Sequence, residues 1–531
     1  MVVSASEIAS TVGRDVLAAG GNAVDAAIAT AFALSVTYPV AGNIGGGGFM
    51  VVRLPDGRAT TIDFREVAPQ AATVDMFLDS TGAYSAQVHH RSHTSVGVPG
   101  TVAGFALAHR KYGRSKWAPL VDPAVRLAGD GFEVPRGLAA SLDTLLMWHG
   151  KYPATVAAYS HNGARYSAGE RLRQPDLSRT LARIRDEGQN GFYRGETARL
   201  ITQEMQRGGG LITASDLARY TAIERAPVRG TYRGYEIISM PPPSSGGTAL
   251  VEMLNILEGY DLAAIGRDSA LYPHLLVEAM RRAFIDRARH IGDPAFVQPP
   301  VAQLTSKAYA TELRSTITPD RASPSMPSQV AVPAESPQTT HFSIVDGDGM
   351  AVSVTYTLES SYGVGAVVPG AGFLLNNEMG DFNGKPGLTD TTGLVGTAPN
   401  IARPGKRMLS SMTPTIIVRD GRLVAVVGSP GGRTIINTVL QVVLNLVDFR
   451  MDLQRAVNAP RIHHQWLPNV LEMERDAMSQ GTVAALTAMG HRVTVAAEAQ
   501  GTAHSIVIDA RTGARIGAAD PRDPDAGAVG H

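Results

Sequence analysis

One threonine of this sequence stands where its hydroxyl could act as a nucleophile. Thr339 lies between a serine- and proline-rich segment, residues 315–338, and a segment in which apolar residues alternate from Thr340 onward. The first segment has no helical or strand period and predicts an exposed, mobile loop, whereas the alternation predicts a half-buried strand. A cut before Thr339 would leave a hydroxyl and a free α-amine on one rigid strand end. An N-terminal amine is a usable base for a threonine hydroxyl.

The next strand is expected to bring a second hydroxyl beside the first. Residues 346–349, with the sequence Asp-Gly-Asp-Gly, read as a hairpin turn between two alternating segments. With a three-residue loop, Thr339 pairs with Thr357, and directly opposed residues share a face of the sheet. Glu359 is next along that face. A two-residue loop would shift the register and destroy this arrangement, and an ordinary hairpin with surface threonines is the alternative.

These stretches resemble the start of the small subunit of γ-glutamyltransferases (γ-glutamyl transpeptidases). The resemblance is carried by Thr339-Thr340-His341-Phe342-Ser343 and Val354-Thr355-Tyr356-Thr357, and it runs through nearly the whole chain. Members of this family are N-terminal-nucleophile hydrolases that cleave themselves before a threonine. The resemblance implies an α+β fold, the four-layer αββα sandwich of that class. It also implies cleavage between Gln338 and Thr339.

The implied cleavage divides the chain into a large fragment, residues 1–338, and a small catalytic fragment, residues 339–531. We expect the two fragments to stay together as one heterodimer because their sheets interleave. The pattern of the residues predicts that helices dominate the first fragment and that strand pairs dominate the second.

Further motifs resemble those that hold the substrate in this family. Arg65, in Asp63-Phe64-Arg65-Glu66, stands where the family arginine binds the α-carboxylate of the γ-glutamyl group, and a guanidinium suits a planar carboxylate because it binds in a bidentate way. Ser410 and Ser411 match a serine pair that helps to bind the same carboxylate. The alternatives are a surface ion pair between Arg65 and Glu66, and an ordinary loop at the serines.

The stretch from Leu375 to Phe382 resembles the motif that holds the substrate α-ammonium. Glu378 and Asp381 are three residues apart, so they can converge on one cation, and the resemblance adds Glu359 to this group. A capped turn with solvated acids is the alternative.

A glycine pair is the strongest signal after the threonine. Gly431 and Gly432 join a predicted strand, residues 423–427, to a predicted helix, residues 433–449, that is apolar nearly all round and therefore buried. Their amides would lie at a buried helix N-terminus, where negative charge is favoured. This construction suits an oxyanion hole, and the family uses the pair for that purpose. A simple strand-to-helix turn is the alternative.

Composition excludes several function classes. The 531 residues carry 48 basic and 48 acidic side chains, so no bulk charge draws the protein to nucleic acid or to an anionic membrane. Cysteine is absent, which excludes disulfides, thiolate metal sites and a cysteine nucleophile. Adjacent His463 and His464 would point to opposite faces of a strand, and no carboxylate cluster accompanies them, so no metal is expected.

The remaining pattern places the elements around these motifs. We predict a helix from Ile8 to Leu17, a buried helix over residues 26–36, close backbone packing at the glycine run 43–50, and a strand over residues 59–64. The helix predicted over residues 271–289 is basic on one face, which we interpret as solvated.

The N-terminus has no basic segment followed by an apolar one, so it is not a signal peptide. The family is commonly exported, and the resemblance therefore implies a periplasmic or secreted location.

Taken together, the resemblance implies γ-glutamyl transfer and hydrolysis without a cofactor. Glutathione and related γ-glutamyl compounds would be donors, and water, amino acids or peptides would be acceptors. Two positions depart from the family pattern. Glu359 replaces a common asparagine, and Thr392, in the long segment 383–407, replaces the tyrosine that covers the pocket in some bacterial members. Hydrolysis is therefore expected to compete better with transfer.

Two other functions stay open. A cephalosporin (glutaryl) acylase shares the fold, the self-cleavage and the threonine, but a glutaryl group has no ammonium for the three acids to bind. A non-catalytic binding or scaffold protein would stay intact and show no turnover.

Overall fold

The computed structural model describes residues 1–329 and 339–531, which form two stacked β-sheets enclosed by helices. Gln338 and the rest of residues 330–338 lie outside the described part. The strands are β1 (Val2–Ser4), β2 (Gly47–Arg53), β3 (Ala59–Asp63), β4 (Phe132–Glu133), β5 (Arg171–Leu172), β6 (Ile223–Arg225), β7 (Val228–Tyr232), β8 (Tyr235–Ser239), β9 (Thr340–Val345), β10 (Ala351–Thr357), β11 (Thr415–Arg419), β12 (Arg422–Val427), β13 (Ile462–His463), β14 (Leu471–Met473), β15 (Val493–Val495), β16 (Ser505–Ile508), β17 (Arg515–Ala518) and β18 (Gly527–Val529).

The α-helices are concentrated in the first part of the chain, as predicted. They are α1 (Glu7–Ala18), α2 (Ala23–Thr37), α3 (Ala86–Arg91), α4 (Thr101–Tyr112), α5 (Trp117–Asp130), α6 (Arg136–His149), α7 (Pro153–Tyr159), α8 (Pro175–Glu187), α9 (Asn190–Tyr193), α10 (Gly195–Gly208), α11 (Ala214–Arg219), α12 (Gly246–Leu257), α13 (Leu262–Ile265), α14 (Leu271–His290), α15 (Val301–Leu304), α16 (Lys307–Ser315), α17 (Thr434–Val447), α18 (Leu453–Asn458) and α19 (Gln480–Ala488). Short 3₁₀-helices cover His93–Ser95, Pro327–Gln329, Glu378–Asp381 and Ala398–Asn400.

Both large sheets combine strands from before and after residue 338. The seven-stranded sheet has the order β18-β1-β9-β10-β2-β3-β6, and the six-stranded sheet has the order β17-β16-β12-β11-β8-β7. In the first sheet, β1 lies between β18 and β9, and β10 pairs with β2. In the second, β11 pairs with β8. The sheets therefore interleave the two halves of the chain, as expected.

Three apolar cores define four layers. The inner faces of the two sheets share one core, with Val51 and Val345 from the first sheet and Ile416 and Val426 from the second. A second core lies between the outer face of the seven-stranded sheet and helices that include α2 and α5. A third lies between the six-stranded sheet and α12, α14 and α17. This is the predicted αββα sandwich.

The strands β9 and β10 are buried on both faces, whereas the sequence predicted half-buried strands. Every residue of Thr340–Val345 and Ala351–Thr357 is buried. The alternation of side chains is real, but the second face of the hairpin packs against the other sheet instead of solvent. Small polar residues on this inner face, such as Ser343 and Ser353, satisfy their hydroxyls through hydrogen bonds to His504 O and Val427 O.

Other elements confirm the sequence predictions with one exception. Helix α1 covers the predicted residues, and α2 is buried along its whole length. Most of the basic face of α14 is not solvated: Arg281, Arg282 and Arg287 are at most 8% exposed, whereas Arg289 in the last turn is exposed. Arg282 pairs with Glu278 one turn earlier in the same helix, which offsets the cost of burying its charge.

The described part of the serine- and proline-rich segment is mostly a loop, as predicted, with a short 3₁₀-helix at Pro327–Gln329, and it is bonded to α14. Ser323 N donates to Glu278 Oε1 over 3.0 Å, and Arg282 Nη2 donates to Thr316 O over 3.0 Å. Over residues 1–329 and 339–531, no helix combines the length and the apolar character needed to cross a membrane.

Candidate active site

Thr339 and Thr357 lie beside each other at one end of the buried hairpin. The ladder pairs Thr340 with Tyr356 and Val345 with Ala351. One further step in this register places Thr339 opposite Thr357, and both line the same small cavity. The register predicted from a three-residue loop is therefore confirmed.

The turn fixes this register through one carboxylate. Asp346 Oδ1 accepts from the backbone N–H groups of Asp348 and Met350 over 3.0 and 2.9 Å, and Asp346 N donates to Met350 O over 3.1 Å. An aspartate that bonds to its own turn in this way favours a single loop geometry. A slip of one residue would turn Thr339 to the opposite face.

Thr357 is held by residues from both halves of the chain. Its hydroxyl oxygen accepts from Glu359 N over 2.9 Å, and its carbonyl accepts from Asn43 Nδ2 over 2.8 Å. A Cβ on Gly46 would lie 1.9 Å from the same carbonyl, which confirms the close backbone packing predicted for the glycine run. Asn43 stands in that run, but its role was not predicted because the partner is 314 residues away.

His341, in the threonine motif, is structural. Its ring bonds to Thr355 Oγ1 at 2.9 Å and to Ser343 Oγ at 3.1 Å. Burial and the neighbouring His504 hold the pKa of His341 well below its ordinary value. The neutral ring links β9 to β10 two residues after Thr339.

The glycine pair lies at the cavity, at the N-terminus of α17. Gly432 is among the lining residues, and Gly431 precedes it. Their φ angles of +126° and +56° lie in the region that favours glycine. Their carbonyls accept from Thr434 N and Ile435 N over 3.1 Å, which begins the helix. The predicted strand, glycine turn and buried helix are all present.

Arg65 is fully buried and forms ion pairs with two of the three predicted ammonium ligands, Glu378 and Asp381. Its Nη1 donates to Glu378 Oε1 and its Nη2 to Asp381 Oδ2, while Nη2 also donates to Leu409 O over 3.0 Å. Glu66 is likewise buried, with Oε2 at 3.8 Å from Arg65 Nη1. The alternatives of a surface ion pair and of solvated acids are therefore wrong.

The residues predicted to bind the two charged groups of the substrate thus pair with one another at the edge of a cavity, which Glu378 and Asp381 line and Arg65 does not. Residues lining it include Thr339, Thr357, Glu359, Glu378, Asp381, Ser410, Ser411 and Gly432. Its volume of about 10 Å³ holds about one water molecule. A substrate therefore needs neighbouring groups to move apart, and it would exchange its own charges for those of the internal pairs.

Two buried acids of this site, Glu66 and Glu378, have pKa values above their ordinary range. Burial raises the pKa of Glu66 to about 8, and burial also raises the pKa of Glu378 well above its ordinary value, against the opposing effect of Arg65. Burial alone would lower the pKa of Arg65, but Glu378, Asp381 and Glu66 raise it. The Arg65 guanidinium therefore stays charged, and burial favours the protonated forms of Glu66 and Glu378.

Glu359 occupies an unusual backbone conformation at the cavity. Its φ is +79°, a left-handed value in which asparagine is enriched and glutamate is uncommon. One carboxylate oxygen accepts from Ser360 Oγ over 2.6 Å and from Asn377 Nδ2. The other, Oε1, lies 3.6 Å from His90 Nδ1. The side chain is therefore oriented by neighbours that were not predicted.

The serine pair is fastened by a loop from the first half of the chain. Ser410 N donates to Pro243 O over 3.1 Å, and Ser245 N donates to Ser410 O over 2.8 Å. This contact was not predicted, because nothing in the composition of the loop around Ser245 shows what it contacts.

Thr392 does not line the cavity. It is exposed, and its N–H and hydroxyl both donate to Asp390 Oδ1, over 2.9 and 2.7 Å. The segment 383–407 is closed on itself by a backbone hydrogen bond, with Asn383 N donating to Asn400 O over 2.9 Å.

The histidine pair 463–464 is engaged in hydrogen bonds to amides, His463 with Asn437 at 2.7 Å and His464 with Asn469 at 3.2 Å. A group not predicted from the sequence, His274, Glu278 and His491, places three potential ligand atoms within 4.8 Å of one another. His274 Nδ1 already bonds to His491 Nε2 at 2.8 Å, and Glu278 faces two arginines. These contacts account for the group without a metal ion.

Comparisons with known proteins find relatives over nearly the whole chain. The family described as Gamma-glutamyltranspeptidase matches residues 9–530. A glutathione hydrolase proenzyme of Escherichia coli (strain K12) is 48% identical over 532 residues, which are 99% of this chain and 90% of the relative. The Acylase ACY 1 proenzyme of Pseudomonas sp. (strain V22) is 40% identical over 516 residues, which are 96% of this chain and 90% of the relative.

Among solved structures, a cephalosporin acylase from Bacillus halodurans superposes with a TM-score of 0.88 at 28% identity, over 100% of this chain and 95% of that one. The family match, the share of the chain it covers and the identity to full-length relatives lead to one conclusion. The chain belongs to the γ-glutamyltranspeptidase family.

Proposed function

We propose that this protein is a threonine enzyme that cuts itself between Gln338 and Thr339 and then transfers or hydrolyses γ-glutamyl groups. The observation that carries the proposal is that Thr339, Thr357, Gly432, the three acids and the serine pair line one cavity, with Arg65 bonded to two of those acids. The cut divides the chain into residues 1–338 and 339–531. Interleaved strands in both sheets favour a heterodimer that stays assembled.

In the proposed reaction, Thr339 Oγ attacks the δ-carbonyl of a γ-glutamyl amide, and its own α-amine takes the hydroxyl proton, directly or through water. Thr357 bonds near the nucleophile and orients it. The Gly431 and Gly432 amides hold the oxyanion. The amine leaves with the transferred proton, and a γ-glutamyl ester remains on Thr339. Water, an amino acid or a peptide amine then cleaves the ester and restores the hydroxyl.

The substrate's zwitterionic end would replace the internal ion pairs. The substrate α-carboxylate would bind Arg65, Ser410 and Ser411. The substrate α-ammonium would bind Glu359, Glu378 and Asp381. This exchange is supported by the pairing of Arg65 with Glu378 and Asp381, because a ligand carrying both charges leaves none of these buried groups unpaired.

Glutathione is the donor we propose, since the E. coli relative is named a glutathione hydrolase. Amino acids and peptides are the proposed acceptors, and no cofactor takes part. We propose a periplasmic or secreted location, as is common in the family. None of the described residues that line the cavity belongs to the segment 383–407. This arrangement favours hydrolysis over transfer.

A glutaryl acylase is the second candidate, because relatives named acylases share the fold and much of the sequence. The two are separated by the rates of hydrolysis of γ-glutamyl and glutaryl p-nitroanilides. The carboxylates at the cavity predict a preference for the γ-glutamyl compound, whose ammonium they bind. A faster rate on the glutaryl compound would assign the protein to the acylases.

A further inference from the structure

A buried arginine of α14, Arg287, contacts the serine pair without lining the cavity. Arg287 is 6% exposed, and its guanidinium donates from Nε to Ser245 Oγ over 2.8 Å and from Nη2 to Ser411 Oγ over 3.1 Å. Ser411 lines the cavity, whereas Arg287 does not. One hydroxyl therefore separates this cation from the substrate space.

The same guanidinium also reaches the other serine, through Ser245. Ser245 Oγ accepts from Arg287 and donates to Ser410 O over 2.7 Å, and Ser245 N donates to the same carbonyl over 2.8 Å. A hydroxyl can accept and donate at once, so this chain of bonds is chemically complete. Arg287 therefore fixes both serines from a helix of the first half of the chain.

The electrostatics give Arg287 a second effect. A serine hydroxyl that accepts from a guanidinium keeps its own proton for donation and becomes a stronger donor, because the bond is charge-assisted. The interaction is strengthened further in a buried environment of low dielectric constant. The positive charge of Arg65 is shared between Glu378 and Asp381. A second positive charge near the serines would add to the attraction for the substrate α-carboxylate.

We propose that Arg287 is a positioning residue for the substrate α-carboxylate: it orients Ser410 and Ser411, strengthens Ser411 as a donor and makes the site selective for substrates that carry this carboxylate. The inference rests on the proposed γ-glutamyl chemistry and deepens it. It also gives a role to the basic face of α14, which the sequence analysis interpreted as solvated.

The test compares two donors that differ only in the α-carboxylate, γ-glutamyl p-nitroanilide and 4-aminobutyryl p-nitroanilide. For Arg287→Gln we expect KM for the γ-glutamyl compound to rise roughly tenfold with a small change in kcat, as for the loss of a hydrogen bond to a charged group. The value of kcat/KM for the 4-aminobutyryl compound should stay within about twofold of wild type. Arg287→Lys keeps the charge, so its KM for the γ-glutamyl compound should lie between those of wild type and Arg287→Gln.

Arg282→Lys is the matched control for Arg287→Lys, since Arg282 is a buried arginine of the same helix that contacts Glu278 and Thr316 instead of the serines. Its KM should equal that of wild type. On the γ-glutamyl donor, the double variant Arg287→Gln with Ser411→Ala should lose less than the product of the two single losses, because both changes remove the interaction between Arg287 and Ser411.

An equal loss on both donors, or no change in KM, would show that Arg287 has only a structural role and would overturn the inference. If Arg287→Gln does not fold, the comparison of Arg287→Lys with Arg282→Lys on both donors decides the question. Failure of the wild-type protein to hydrolyse the γ-glutamyl compound would defeat the proposed function instead, so the two failures are distinguishable.

Discussion

Arg65 and Glu378, 313 residues apart in the chain, form a fully buried ion pair at the centre of the candidate site. They were predicted to bind opposite charges of one substrate, and they bind each other. Breaking such a pair by removing one partner is strongly destabilising, because the other charge stays buried. Substrate binding at this site is therefore best understood as an exchange of ion pairs.

The first prediction concerns the geometry of Arg65. Arg65→Lys keeps the positive charge but loses the planar fork that reaches Glu378 and Asp381 at once. We expect KM for a γ-glutamyl anilide to rise about tenfold or more, while self-cleavage stays normal. Steady-state kinetics and a denaturing gel measure the two effects. Unchanged kinetics would remove Arg65 from the site.

The second prediction concerns pH and Glu66. Burial raises its pKa to about 8 in the folded protein, against about 4.3 in an unfolded chain. The folded state therefore holds a proton that the unfolded state releases between these values. The resulting contribution to stability is complete below about pH 4, falls as pH rises, and is gone above about pH 8.

Glutamine at position 66 does not titrate, so the free energy of unfolding of Glu66→Gln should fall less between pH 5 and pH 9 than that of wild type. The difference in slope is at most about 1.4 kcal/mol per pH unit. Melting temperatures across this range provide the measurement, with the exposed Glu187→Gln as the control. Parallel profiles for wild type and Glu66→Gln would contradict the assignment of the raised pKa.

The third prediction separates charge from backbone conformation at Glu359. Both Glu359→Asn and Glu359→Gln remove the negative charge, so both should raise KM for the γ-glutamyl donor. Asparagine tolerates the observed φ of +79° better than glutamine. Glu359→Asn should therefore be the more stable variant by about 1 kcal/mol. Equal melting temperatures would show that the left-handed backbone stores no such strain.

The sequence was sufficient to predict features set by local rules. The length of the turn at residues 346–349 determined which threonines meet, because each pair along a hairpin follows from the loop. The uninterrupted apolar run of α2 predicted a buried helix. The strand, glycine turn and helix around Gly431 and Gly432 followed from composition and period.

Features that depend on distant partners could not be predicted. Arg287 of α14 shows charge in the sequence, but its buried position depends on Ser245 and Ser411, which come from two other parts of the chain. The second buried face of β9 depends on a sheet whose strands are far away in sequence. The pairing of Arg65 with Glu378 likewise requires a contact across more than 300 positions.

The central claim is that self-cleavage exposes Thr339 as the nucleophile. Cleavage needs the Thr339 hydroxyl to attack the carbonyl of Gln338, and turnover needs that hydroxyl with the freed α-amine. Thr339→Ala should therefore stay whole and inactive. Thr339→Ser keeps the hydroxyl but lacks the methyl that restricts χ1, so it should still mature and show reduced turnover.

The most direct measurement is a denaturing gel of the purified wild-type protein with N-terminal sequencing of its bands. We predict two fragments, the smaller beginning Thr339-Thr340-His341, and a single band for Thr339→Ala. An intact wild-type chain, a cut at another residue, or a Thr339→Ala protein that matures and turns over substrate would contradict the assignment of Thr339.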